Sequence, residues 1–238
     1  MNSLAMNILR RSKPVLLSLA LIVTVVFSPA HTSHAQQLRQ GVRVEMAATN
    51  NAMPMPEADD DDAWIVAVTA DGSLFFGINP VTPDGLRQSM KNHPRDRQQK
   101  LYIKADARAP FASVDQVIKA ARNDLFQTSV LLTSQPESPA TGTIAPPEGI
   151  EILVNSPSNA DSIVVEWLDS SQRSPILKIN NAEVPSAALQ STLRQLLQNR
   201  SQKVVVVKAA GSLPFGQVVH VVDVCRSIGA VAALGSPD

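Results

Sequence analysis

KLYIKADARAPFASVDQVIKAAR, residues 100–122, returns near the C-terminus as KVVVVKAAGSLPFGQVVHVVDVCR, residues 203–226. Lys104 falls on Lys208, Pro110 on Pro214, Phe111 on Phe215, Val114 on Val218 and Arg122 on Arg226, each pair 104 positions apart (208 − 104). The pattern predicts a strand, a Pro-Phe turn and an amphipathic helix in each copy. A unit of this length is a small domain used twice, since solenoid repeats run to roughly 20–50 residues.

Upstream of the first copy, residues 64–69 alternate and are rich in β-formers, Asp71-Gly72 supplies a tight reverse turn, and residues 74–78 return as the second arm of a hairpin. Thr82-Pro83 offers an N-cap and a proline at the first helical position, opening a helix with Leu86 and Met90 on one face. Strand 101–104, a helix carrying Val114, Val117, Ile118 and Ala121, and strand 128–132 complete the unit. Its order reads β-hairpin-α-β-α-β, and the last three elements should form a right-handed crossover with the helix laid on the sheet.

The second unit repeats this order. Hairpin arms fall at 163–168 and 176–179, a helix with the stripe Leu189, Leu193, Leu196 and Leu197 at 186–200, an apolar strand at 204–207, a helix at 215–227 and a strand at 230–234. Residues 135–148, with Pro136, Pro139, Pro146 and Pro147 among Ser, Thr and Gly, have linker composition. The organisation read from the chain is a leader (1–35), a first domain (36–134), a linker (135–148) and a second domain (149–238).

In the leader, Arg10, Arg11 and Lys13 precede an uncharged run from Val15 to Phe27, and Ser33-His34-Ala35 before Gln36 fits a small-x-small cleavage site. The segment is either a cleaved signal peptide, the favoured reading, or an uncleaved anchor if 14–30 spans the bilayer. Both fates place the rest of the chain outside the cytoplasm, in the periplasm. Residues 42–46 alternate Val42, Arg43, Val44, Glu45, Met46, as a half-buried strand does, and are the candidate edge for pairing with a partner strand. Residues 49–62 follow, Pro-broken and ending in four Asp, and are expected to be a solvated loop. The Asp run lacks the alternate ligand spacing and Gly turn of a calcium loop.

Composition excludes more than it selects. Of 238 residues, 21 are basic and 21 acidic, so no strong electrostatic case exists for nucleic acid or anionic lipid. The one cysteine, Cys225, lies in an apolar helical stripe and reads as a core thiol. No His pair sits at i, i+4, and no G-x-S-x-G, P-loop or H-E-x-x-H occurs, so the chain reads as non-enzymatic, with no cofactor. Asp106 ends a strand, where it is best read as a turn-capping residue.

Gly41-Val42-Arg43-Val44 with Pro54-Met55-Pro56, then residues 65–72 (IVAVTADG), Pro80-Val81-Thr82 and residues 102–108 (YIKADAR), taken in joint order, resemble the periplasmic domain of the ExbD/TolR biopolymer transport proteins. The family-motif positions are Asp71, Gly72, Lys104, Ala105 and Asp106; the second unit resembles the fold more loosely, lacking the Asp-Gly turn and the Asp. The resemblance implies an α+β fold of two tandem domains, each a small sheet with two helices on one face. Such domains usually dimerise, and here the halves could pair with each other. It also implies an ExbB/TolQ-type channel and a TonB- or TolA-like protein as partners, in machinery driven by a proton gradient. Proton passage in the family depends on an Asp in the transmembrane helix, whereas residues 14–30 hold no Asp or Glu. That departure suits an accessory or divergent subunit, or a soluble periplasmic binding module that has kept the fold and lost the motor.

Overall fold

A computed structural model describes residues 41–93, 99–123, 126–136, 146–156, 162–168 and 176–235. The leader (1–35) and most of the expected linker (137–145) lie outside these residues.

The first half comprises β1 (Met53–Pro54), β2 (Trp64–Val68), β3 (Leu74–Phe76), β4 (Asn79–Val81), α1 (Pro83–Asn92), β5 (Leu101–Ala105), α2 (Phe111–Asn123) and β6 (Thr128–Thr133). The second comprises β7 (Glu148–Leu153), β8 (Ile163–Leu168), β9 (Ile176–Ile179), β10 (Ala182–Glu183), α3 (Leu189–Leu197), β11 (Val204–Ala209), α4 (Phe215–Ser227) and β12 (Val231–Gly235). Thr82 caps α1 as its sequence predicts, its hydroxyl accepting from the Gly85 N–H at 3.0 Å. Within the first half β2, β5 and β6 run parallel, and within the second β8, β11 and β12 do so, each set carrying an antiparallel hairpin on its outer side. Of the leucine stripe on α3, Leu189, Leu193 and Leu197 are buried and Leu196 is exposed.

In place of two small sheets, the strands form one mixed sheet of twelve, in the order β10-β9-β8-β11-β12-β7-β6-β5-β2-β3-β4, with β1 appended to β7. The junction is β7, antiparallel to β6 over six residue pairs from Thr128 with Leu153 to Thr133 with Glu148, and parallel to β12 on its other side. Alternate strand residues and the buried faces of all four helices share one apolar core, in which Phe111 and Phe215 are the largest fully buried side chains. Each is worth roughly 1.5–3 kcal/mol of burial.

A second, smaller apolar cluster lies on the sheet face away from the helices, where Met55 and Ala58 pack on Ile65, Tyr102, Val130 and Leu132. This corrects the expectation of a solvated loop at 49–62. Thr49, Met55 and Ala58 are buried and residues Pro56–Asp59 form a 3-10 turn, while Asn50, Met53, Pro54, Pro56, Glu57 and the Asp60, Asp61 and Asp62 end remain exposed. The polar composition conceals two apolar side chains three residues apart, which the turn brings onto one side.

Residues 42–46 also depart from expectation. Val42, Arg43, Val44 and Glu45 belong to no strand, and Met46 makes a single bridge, to Asp106. The position beside β6 that a leading strand would take is held by β7, so this segment instead wedges against the ends of β5 and β6, where Ala48 bridges Ser134.

Candidate functional site

The family-motif residues gather at the C-terminal ends of β2 and β5. Asp71 holds the β2–β3 turn: its carboxylate accepts from the Thr69 hydroxyl, the Ser73 N–H (3.2 Å) and the Ser73 hydroxyl (3.0 Å), and these bonds, the Thr69 one foremost, lower its pKa from the ordinary carboxylate value. Gly72 follows at φ +85°, and a Cβ there would stand 2.5 Å from the Ser113 hydroxyl in α2. Only glycine meets both demands. The turn is thereby pressed against the first turn of the helix.

Asp106, 3 % exposed, sits one residue beyond β5. Arg108 donates to it through its backbone N–H (3.0 Å), Nε (2.9 Å) and Nη2 (3.0 Å), and the Glu45 N–H adds a fourth bond at 3.0 Å. The Arg108 side-chain bonds lead in lowering its pKa to about 2, working against the burial that would raise it. Asp106 therefore caps its own turn and ties residue 45 to the end of β5. Glu45 adds an exposed ion pair to Arg108 at 3.3 Å.

Ala105 faces the helices in the main core, while Lys104 lies on the opposite face, with Tyr102, beneath residues 55–63. Burial lowers the Lys104 pKa and the negative charge of Asp59 opposes that shift. Tyr102 is pushed up to about 12, first by burial and then by the charges of Glu57, Asp60 and Glu151. Among the described residues no group of three or more His, Cys, Asp or Glu side chains converges as a metal site would require.

What the region does assemble is a contact between the two copies of the repeat. The Phe111 N–H donates to the Leu213 carbonyl (2.9 Å), and Phe215 returns the same bond to Ala109 (2.8 Å). The Ala112 N–H donates to Gly211 (3.0 Å), and Gly216 returns that bond to Ala107 (2.8 Å). Every donor and acceptor has its mate 104 residues away, and Pro110 pairs with Pro214 at the centre. An exchange in which i bonds j′ and j bonds i′ is the signature of an isologous, two-fold contact. Here it is made inside one chain.

A model of the family described as biopolymer transport protein ExbD/TolR matches the sequence twice, over residues 16–135 and 123–233. The chain belongs to the ExbD/TolR family. Its two matches meet at β6, next to the seam where the structure joins the halves. The ExbD/TolR family serves energy transduction in biopolymer transport and is membrane-associated, with a periplasmic domain. No helix among the described residues is long and apolar enough to cross a membrane. No curated protein and no solved structure matches the chain.

Sequence reasoning missed one polar cluster at the seam. Asp223, 7 % exposed on α4, accepts from the backbone N–H groups of Asn50 (3.2 Å) and Asn51 (2.9 Å) and from the Asn51 side chain (3.1 Å). A carboxylate interrupting the apolar run of α4 was the available signal, because a polar group buried in a helix face needs hydrogen-bond partners from a neighbouring segment. Arg122 makes a second cross-link, donating to the carbonyls of Val154 (2.9 Å) and Leu234 (3.3 Å) in the second half.

Proposed function

We propose that this ExbD/TolR-family chain is an accessory or divergent subunit of a proton-motive-force-driven energy-transduction system in the envelope, acting by protein contact beside an ExbB/TolQ-type channel and toward a TonB- or TolA-like partner. The observation that carries this reading is the reciprocal exchange of hydrogen bonds around Pro110 and Pro214, which supplies inside one polypeptide the two-copy contact for which family members associate. The chain then acts as a monomer. It does not carry the proton step, since residues 14–30 contain no carboxylate to relay a proton across lipid. The first family match begins at residue 16, inside the apolar run, which favours retention of that run as an anchor in the inner membrane. Residues 42–46 are the proposed contact for a partner segment; Val42 and Val44 are half-buried and lie outside every strand ladder.

Affinity purification of the full chain from membranes in mild detergent tests the reading. Recovery of an ExbB/TolQ-type channel with a chain that is itself monomeric by light scattering is the expected result. Reproducible absence of any such channel, or a stable homodimer, refutes it. N-terminal sequencing distinguishes an intact Met1, expected for the anchored subunit, from a start at Gln36.

A further inference from the structure

The hairpins at the two edges of the sheet are built alike, but their turns differ. β9 and β10 are joined by Asn180 and Asn181, both exposed and both at positive φ, the polar pair such a turn favours in water. At the opposite edge β3 and β4 are joined by Gly77, at φ +61°, and Ile78. The backbone needs the glycine but places no demand for an isoleucine after it. Ile78 is 73 % exposed, the most of the three large apolar side chains that are exposed among the described residues. No charge occurs anywhere from Gly72 to Pro83. A lone exposed apolar side chain is ordinary on a protein surface, so its surroundings decide what it means. β4 carries Pro80 at its centre, which has no N–H to give to an added strand, and this edge is therefore poorly suited to strand addition. Gly41, where the described chain begins, lies against the same turn: a Cβ on it would stand 3.6 Å from the Gly77 carbonyl oxygen and 3.7 Å from Ile65 Cγ2. Only residues 31–40 separate Gly41 from the uncharged run 14–30, a reach of at most about 35–40 Å.

We propose that the β3–β4 turn is a lipid-contacting tip, with Ile78 set at the headgroup boundary of the bilayer that holds residues 14–30 and the Asn180–Asn181 turn left in water. The inference rests on the anchored reading of the leader given above. One isoleucine does not hold a free protein on a membrane. A short tether keeps the tip at high effective concentration beside the lipid, so that a weak contact is enough to orient the domain. The occupant is lipid because the turn offers an uncharged surface, an edge short of a backbone donor, and the point at which the chain arrives from the apolar run.

The test reconstitutes the full chain in phosphatidylcholine nanodiscs with an environment-sensitive dye on Asn79→Cys, beside the tip, or on Ala182→Cys, the matching position after the other turn. Both positions are exposed, and Cys225 is buried and stays unlabelled. Phosphatidylcholine spin-labelled near its headgroup should quench the dye at 79 by about twofold or more and leave the dye at 182 unchanged; high salt should not alter the difference, because screening acts on charges. Ile78→Asp in the Asn79→Cys chain should abolish the quenching, whereas Leu196→Asp, which removes an exposed apolar side chain on α3, should keep it. Circular dichroism checks that every variant is folded. No quenching at 79 in a chain whose Met1 is intact overturns the tip and leaves the anchored reading in place. Equal quenching at 79 and 182, or quenching that survives Ile78→Asp, also overturns it. A blue-shifted dye at 79 that the spin-labelled lipid does not reach assigns the turn to a protein contact and overturns the lipid assignment. A chain that begins at Gln36 has no tether and overturns the tip together with the anchored reading. Quenching at 79 without recovery of a channel counts against the functional reading and leaves the tip standing.

Discussion

Adding one methyl group at Gly149 should open the seam between the two halves. A Cβ there would lie 2.5 Å from Val130 Cγ1 and 2.8 Å from the Leu131 carbonyl oxygen. The valine can rotate, but the carbonyl belongs to the backbone of β6, which is paired with β7 through all six residues. Restoring a tolerable 3.4 Å contact requires the strands to part by 0.6 Å (3.4 − 2.8) at the centre of the sheet. Overpacking of this kind costs about 1–3 kcal/mol, and weakened ladder bonds place Gly149→Ala near the top of that range. With a urea m-value of about 2–3 kcal/mol/M for a chain of this size, the midpoint should fall by about 1 M. Gly235→Ala is the control, because a Cβ at that position, on β12, meets nothing within 4 Å. It should be neutral, or stabilising by up to about 1 kcal/mol through the entropy of the unfolded chain. Trp64 reports on the first half and Trp167 on the second, so Trp64→Phe and Trp167→Phe backgrounds give one fluorophore each. One continuous sheet requires the two urea curves to coincide and to shift together in Gly149→Ala. Two separate transitions, or a Gly149→Ala midpoint equal to that of Gly235→Ala, would refute the single-sheet argument.

Three further outcomes follow from the polar groups. Asp106, with its pKa lowered from 3.8 to about 2, contributes stability that is present above about pH 4 and lost as pH falls through the folded value; about 2 kcal/mol is at stake. Urea midpoints measured from pH 5 to pH 2 should fall more steeply in the parent than in Asp106→Asn, and parallel curves would contradict the assignment. Asp223→Ala removes three charge-assisted bonds and should cost about 2–3 kcal/mol, with hydrogen exchange accelerating at the Asn50 and Asn51 amides; unchanged protection there would separate the carboxylate from the segment. Burial pushes the Cys225 thiol up to about 12, leaving roughly one thiolate in 10⁴ at pH 8, so a thiol reagent should label the native chain only at its unfolding rate. Immediate stoichiometric labelling would place Cys225 outside the core.

Much of this architecture was legible because local signals and the long repeat agreed. Thr82-Pro83 started a helix where the cap geometry places one, and Asp71-Gly72 turned where a left-handed glycine was required. The fusion of the sheets was not legible. Whether β7 closes its own domain or bridges two depends on which strand wins the place beside β6, and a strand with both neighbours available carries the same Gly-Ile-Glu-Ile pattern either way. The fold-back of residues 53–59 was hidden for a different reason. Two apolar side chains among Pro and Asp carry no detectable period, and only the exposed face of the neighbouring sheet gives them a target. Asp106 was read as a turn cap from its place at a strand end, but its bond to residue 45 spans 61 positions and has no local trace.

The placement of β7 also explains why the halves differ. The two-fold relation that exchanges Phe111 with Phe215 maps β6 onto β12, and β7 lies between them, parallel to one and antiparallel to the other. A strand has direction, so a strand on a two-fold axis can be supplied by only one of the related copies. The second half supplies it. The counterpart in the first half, residues 42–49, is displaced to the ends of β5 and β6, and the chain that follows it is free to turn back, pair at Met53 with Gly149, and cover Ile65 and Tyr102. Two identical subunits would have to break symmetry to reach this arrangement, and would do so in either sense with equal energy. In a duplicated chain the sense is written into the sequence, as Tyr102 and Val130 beneath Met55 and Ala58 on one side and the smaller Val206 and Ala233 at the matching register on the other. Exchanging Tyr102 with Val206 should therefore lower the urea midpoint, by removing the bulk beneath Met55 and Ala58 in the first half and overpacking the buried Val206 position in the second, an outcome that a symmetric pair of domains would not produce.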